Sequence, residues 1–287
     1  MAGTLSPKRR IMSIYEIIGY LGALLIGLTL GVMGGGGSIL SVPILAYLFH
    51  YDEKTATAYS LFIVGITALA GGVKQLFQGM VSGRLVLMFG LPAVIGVTVI
   101  RRFVIPALPE VLFHINGFGF TRRMLIFGLF AILMLMSAYS TLHKTKYKIP
   151  PQRKAKPEFH PLIITEGFFT GVFMGLVGAG GGFLIVPALM IIAKLPIKRA
   201  IATSLIIIAL NSLTGFFIGD FRHLEVNWEF LSTFMIISIV GILLGSYFSK
   251  SIKSEKLKKY FGYFILIMAL YIFIMELIIC PYLNMHH

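Results

Sequence analysis

GVMGGGGSILSVP, residues Gly31 to Pro43, decides the fold, because the chain repeats it 144 residues later as GLVGAGGGFLIVP, Gly175 to Pro187. At that offset Gly34 pairs with Gly178, Gly36 with Gly180, Gly37 with Gly181, Leu40 with Leu184, Val42 with Val186 and Pro43 with Pro187. The match runs on through Lys54, Ala56, Ala58, Ser60, Leu61, Ile63, Leu69 and Gly71, so 16 of the 41 positions from Gly31 to Gly71 are identical without a gap. Such agreement marks a duplication. The expected organisation is a first repeat over residues 1–142, a basic linker over 143–160 and a second repeat over 161–287.

Composition places both repeats in a membrane. Of 287 residues, 57% are hydrophobic and 13% charged, and the mean hydropathy is +0.90. That is more apolar surface than one soluble domain hides. A spanning helix needs about 20 mainly apolar residues. Apolar stretches fall at 13–31, 38–49, 55–73, 85–100 and 123–142, then at 161–178, 183–194, 200–219, 230–249 and 260–280. The expected fold is therefore all-α and polytopic, with about five hydrophobic segments per repeat and 8–10 crossings. The stretches following the glycines are short and read as half-helices. An odd number of crossings per repeat gives inverted repeats and an even number parallel ones.

The net charge of +14 does not point to nucleic acid, since the basic residues lie between apolar stretches and form no aromatic-interleaved patch. Loops on the cytoplasmic side of a membrane are rich in Lys and Arg. If every apolar stretch reverses the chain, 16 of the 25 basic residues lie on the side of the linker and the 250–259 loop, and 9 on the side of both termini. This predicts a cytoplasmic linker in a multi-pass protein of the cytoplasmic membrane. The single cysteine, Cys280, forms no internal disulfide and no thiolate metal cluster. Lys8, Arg9 and Arg10 before an apolar run resemble the start of a secretory signal, but the run has a counterpart in the second repeat, which argues against cleavage. The helix carrying Ser60 and Thr67 is expected to end at Gly71 and Gly72, and the next at Arg101 and Arg102, before a connector over 103–120.

Four consecutive glycines make a poor helix, so Gly34–Gly37 and Gly178–Gly182 are expected to break their helices at matching depths. Non-helical backbone persists at membrane depth only where protein buries it or a polar cavity receives it. A helix restarting after the break aims its N-terminal N–H groups, with their partial positive charge, at the break. That end binds anions without a charged side chain, and glycine lets the substrate approach the backbone. The candidate substrate-binding residues are Gly34, Gly36, Gly37, Ser38, Ser60 and Thr67 in the first repeat. Those in the second are Gly178, Gly180, Gly181, Gly182, Thr203, Ser204 and Asn211. Lys74, which like Arg84 suits an interfacial position, is also a candidate to attract anions to one mouth, and Pro43 and Pro187 to shape the gate.

Plainer readings apply elsewhere. Gly27/Gly31, Gly79/Gly83, Gly171/Gly175, Gly215/Gly219 and Gly241/Gly245, each spaced by four, suit close helix packing. Ser60 and Ser204 suit bonding to their own helix backbone as well as lining a site. Glu16, Glu166 and Glu276 suit snorkelling or local pairing. His50, His114, His143, His160 and His223 fall in connectors, so no metal is expected. The glycines lack the Gly-Lys-Ser/Thr ending of a phosphate-binding loop and no strand precedes them. An intramembrane serine hydrolase would need a histidine deep in a helix to activate Ser38, and none is available. No cofactor is expected; the partners are a small anion and the lipid bilayer.

Together GVMGGGGSILSVP, its echo GLVGAGGGFLIVP, the ATAYSLF and AIATSLI segments that follow, and the basic linker resemble the sulfite exporter TauE/SafE family, from about residue 13 onward. The resemblance implies export of small sulfur-containing anions, such as sulfite or organosulfonates. It does not fix the substrate, and the repeats differ at Ser38 against Gly182, Gly35 against Ala179 and Thr67 against Asn211. A secondary transporter working by alternating access is the leading expectation; a passive anion channel and an intramembrane enzyme are the alternatives.

Overall fold

The computed structural model describes residues 14–115, 118–143, 161–221 and 224–275. The linker 144–160 and both chain ends lie outside the described residues. Ten helical segments make up the described first and second halves, five in each. The first half has α1 (Ile14–Met33), α2 (Gly36–Leu48), α3 (Glu53–Phe77), α4 (Gly83–Ala107) and α5 (Arg122–Leu142). The second has α6 (Pro161–Val177), α7 (Gly182–Ile191), α8 (Ile197–Asp220), α9 (Trp228–Ser251) and α10 (Ser254–Ile274). Six of these, α3, α4, α5, α8, α9 and α10, have the length and hydropathy to cross a bilayer.

Several boundaries differ from expectation. Gly71 and Gly72 do not end α3, which continues to Phe77, because both glycines are buried against Ile242 of α9 and Ile206 of α8. Arg101 and Arg102 do not end α4, which runs to Ala107 through a wide π-type turn over Ile100–Val104. The connector beyond it contains a β-hairpin, β1 (Val111–Ile115) with β2 (Phe118–Thr121), the one departure from an all-helical chain among the described residues. The loop expected at 250–259 shrinks to the bend between Ser251 and Ser254, so its last lysines ride the first turns of α10.

Helices exchange partners across the halves. The main neighbour of α1 is α9, and the main neighbour of α6 is α4. Glycines make these seams. Gly27 and Gly31 lie on the backbone of Ser238, Ile242 and Ser246, while Gly241 and Gly245 lie on Leu24 and Leu28. Gly167 and Gly171 meet the backbone of Phe89 and Ala93 in the same manner, and Gly175 meets the Ile100 side chain and the Val97 carbonyl. Backbone-to-backbone contact of this kind replaces the hydrophobic driving force that lipid does not supply between helices. Gly79 and Gly83 do not pack: a Cβ on either would meet nothing within 4 Å, and Gly79 serves a turn at φ 68°.

At the centre α3 and α8 cross. Gly65 sits against Leu213 and Gly72 against Ile206, so the two helices run antiparallel. Thr67 and Asn211, which correspond at the offset of 144, fall at the midpoint of this contact. The helices that correspond by sequence thus meet head to tail, as elements related by a two-fold axis perpendicular to the bundle do. The first hairpin, α1 with α2, is also antiparallel, with Gly37 on Ile26, Gly22 on Ile44 and Gly19 on Phe49.

At the end of the bundle where α3 begins, Arg122 clamps Glu53 through Nε and Nη2, and its Nη1 donates to the Leu108 carbonyl at 2.9 Å. The guanidinium ties α3, α4 and α5 together. Arg122→Ala leaves Glu53 unpaired in a largely buried position and is expected to cost about 3 kcal/mol, read as a lowered melting temperature of the purified protein. Gly171→Leu drives a side chain into the Ala93 backbone and is expected to lower that temperature by a comparable amount. Gly128→Ala, where a Cβ meets nothing within 4 Å, should raise it by roughly 0.5–1 kcal/mol equivalent.

Candidate functional site

Each glycine cluster ends one helix and starts the next. Gly34 closes α1 in the left-handed region at φ 71° and its N–H bonds the Leu30 carbonyl at 2.8 Å; Gly178 closes α6 at φ 70° with a bond to Met174, also 2.8 Å. This is the αL helix ending, which glycine adopts without steric cost. Gly180 and Gly181 follow at φ 64° and 61°. The chain then restarts as α2 at Gly36 and as α7 at Gly182, with no acidic side chain in either first turn. The leading N–H groups of both helices have no acceptor within their own helix.

Both turns reach across the molecule. A Cβ on Gly34 would stand 2.9 Å from the Cα of Ile201, and one on Gly178 2.9 Å from the Cα of Thr57, positions that again correspond at the offset of 144. Between the turns, the backbone of Gly35 lies directly on that of Gly182. Gly36 faces Met33 and Phe264, Gly37 faces α1 at Ile26 and Leu30, and Gly181 faces Met174, so these three seal the hairpins.

The predicted hydroxyls divide into two groups. Ser38 donates to the Gly35 carbonyl at 2.7 Å, and Ser41 donates to Ser38 at 2.9 Å while sharing a 2.6 Å bond with Ser60. Ser204 donates to the carbonyls of Gly34 (3.2 Å) and Ile201 (2.9 Å), and Thr203 accepts the Ser82 N–H at 3.1 Å. These side chains are structural ties. Thr67 Oγ1 and Asn211 Oδ1, and with them Ser212 Oγ, which the sequence reading did not single out, are buried without a hydrogen-bond partner among the described residues. Asn211 Nδ2 reaches only the Met174 sulfur, at 3.6 Å. Such orphaned groups cost stability and are few in native structures. They sit at the α3–α8 midpoint, where Gly180 lies against Val64, Ile208 and Ser212.

The remaining predicted residues lie apart from this centre. Lys74 is half-buried in the last turn of α3. Pro43 and Pro187 lie inside α2 and α7. Lacking an N–H, Pro187 cannot bond the Phe183 carbonyl four residues back, and the Ser137 hydroxyl of α5 occupies that carbonyl instead.

Sequence reasoning missed Arg101. Its side chain is fully buried, and Nη1 donates to Asp220 Oδ2 and to Thr57 Oγ1, each at 3.1 Å. Nε and Nη2 have no partner among the described residues, and Nη2 lies against Gly178. The signal was the apolar FVIPAL at 103–108, which continues the span beyond the charge.

The model for "Sulfite exporter TauE/SafE" matches residues 18–272. A "Probable membrane transporter protein" of Xylella fastidiosa is 29% identical over 254 residues, covering 86% of this chain and 91% of that one. YunE, a probable membrane transporter protein of Bacillus subtilis, is 27% identical over 256 residues, 80% and 88% of the two chains. A probable membrane transporter protein of Methanocaldococcus jannaschii is 40% identical over 124 residues, 39% of this chain and 43% of its own. No solved structure matches. With the family model spanning nearly all the described helices, the chain belongs to the sulfite exporter TauE/SafE family of membrane transporters.

Proposed function

We propose that the chain carries a small sulfur-containing oxyanion, such as sulfite or an organosulfonate, across the cytoplasmic membrane by alternating access. The observation that carries this reading is the meeting of two helix restarts, α2 and α7, at Gly35 and Gly182 beside three unpartnered polar groups. Helix N-termini favour negative charge without the desolvation cost of a buried lysine, and Thr67, Asn211 and Ser212 offer hydrogen bonds that nothing else in the described residues takes. Because the two turns touch, the anion is admitted only when one hairpin withdraws from the other. Transport is secondary, with the anion gradient or a coupled proton supplying the drive.

The test is counterflow of sulfite and methanesulfonate, with chloride as comparison, in vesicles reconstituted with the full chain. Wild-type vesicles loaded with either oxyanion should accumulate it from outside. Thr67→Val and Asn211→Leu remove the unpartnered polar groups at nearly constant shape. Both are expected to raise the melting temperature slightly, by about 1 kcal/mol equivalent, and to cut oxyanion counterflow at least tenfold. Wild-type vesicles that move no oxyanion overturn the substrate class; chloride flux without trans-stimulation would indicate a passive channel.

A further inference from the structure

We propose that the free edge of Arg101 is a second anion subsite, which holds a group bearing two oxygens on one centre, and that substrate occupies it on its way to or from the paired glycine turns. The proposal rests on the reading of the chain as an oxyanion transporter.

The two buried arginines make the case by contrast. Arg122 has all three nitrogens engaged, Nε and Nη2 on Glu53 and Nη1 on Leu108. Arg101 engages Nη1 alone, although it is the more deeply buried of the two. Its remaining nitrogens, Nε and Nη2, lie on one edge of the planar guanidinium and present parallel N–H donors. That edge matches a carboxylate or sulfonate in the bidentate manner of Arg–oxyanion pairs, which a lysine cannot reproduce. Asp220 and Thr57 hold the opposite corner, so they fix the ring plane and leave the fork without a partner among the described residues.

The surroundings are shaped for this side chain. On α8, Gly219 and Gly215 lie against the Arg101 backbone and stem; a Cβ on Gly219 would fall 3.4 Å from the Arg101 Cα. Gly178 makes room for Nη2, since a Cβ there would coincide with it. Three glycines from two segments thus surround an arginine whose charge would otherwise be costly inside a membrane protein. Nη2 also faces the C-terminal end of α6, where carbonyl dipoles favour a cation. The turn Gly178–Gly182 joins the two places: its first residue touches Arg101 and its last touches Gly35. Between them Gly180 lies against Ser212 and Gly181 against Met174, the neighbour of Asn211, so the turn connects the guanidinium edge to the unpartnered groups of α8.

The test is equilibrium binding of radiolabelled sulfite to the purified full-length chain, with methanesulfonate, acetate and chloride as competitors. Wild type should bind sulfite, with methanesulfonate or acetate competing at least tenfold better than chloride; which of the two prevails identifies the sulfonate or the carboxylate as the preferred group. Arg101→Lys keeps the charge and loses the fork, and should weaken sulfite at least tenfold. Arg101→Gln/Asp220→Asn removes both charges together, so neither is left buried and unpaired; it decides the matter if the lysine variant does not fold, and should show the same loss. Binding within twofold of wild type in either folded variant overturns the subsite and leaves the transport reading standing. Chloride competing as well as the oxyanions also overturns the subsite, because a sphere has no use for the fork. Absence of sulfite, methanesulfonate and acetate binding by wild type overturns both readings.

Discussion

A peptide group inside hydrocarbon has no water to turn to, and this constraint governs how the chain can be broken. Two helices end within the bundle here, and each ending is resolved by the same device. The αL glycine lets the last N–H bond back into its own helix, and the exposed backbone is set on protein. Gly34 is covered by Ile201 and its carbonyl is taken by Ser204; Gly178 is covered by Thr57. Residues before Tyr51 and Leu195 close the hairpins similarly, since His50 and Lys194 adopt φ 54° and 50° and the following N–H groups reach back to Leu45 and Leu189. The carbonyl freed by Pro187 is met by Ser137. Among the groups left unsatisfied, two sets are clustered: the hydroxyls and amide at the α3–α8 midpoint, and one edge of Arg101.

The membrane character, the helical segments and the position of both glycine breaks were legible in the sequence, because each depends on local composition. Apolar runs of sufficient length read directly as helices, and a run of glycines reads as a break whatever surrounds it. Boundaries set by tertiary contact were less legible. Gly71 and Gly72 look like stops until Ile242 and Ile206 are seen to lie on them, and Arg101 looks like a membrane edge until Asp220 arrives from α8 to share its charge. The polar shell was half legible. Residue type identified Ser60, Ser204, Thr67 and Asn211 alike, yet only the fold distinguishes the two serines, which bond other groups, from Thr67 Oγ1 and Asn211 Oδ1, which bond none.

The glycine seams of the two halves correspond while the chemistry beside them does not. Gly96 meets Phe168 and Val172 as Gly241 meets Leu24 and Leu28, so the offset is 145 at this level and Arg101 corresponds to Ser246. A guanidinium with a carboxylate partner at one end of the bundle is answered by a single buried hydroxyl near the other. The hairpins correspond in their glycine contacts, while the charge at this level gives the two ends of the bundle different electrostatic character.

The exchange of helices between halves also bears on how the protein is made. Ser238 bonds the carbonyl of Ala23 across 215 residues of sequence, so the glycine face of α1 has no partner until α9 has left the ribosome. For most of synthesis that face is greased only by lipid or guarded by insertion factors, and a ribosome stalled within the second half strands the first half with its longest seam unzipped.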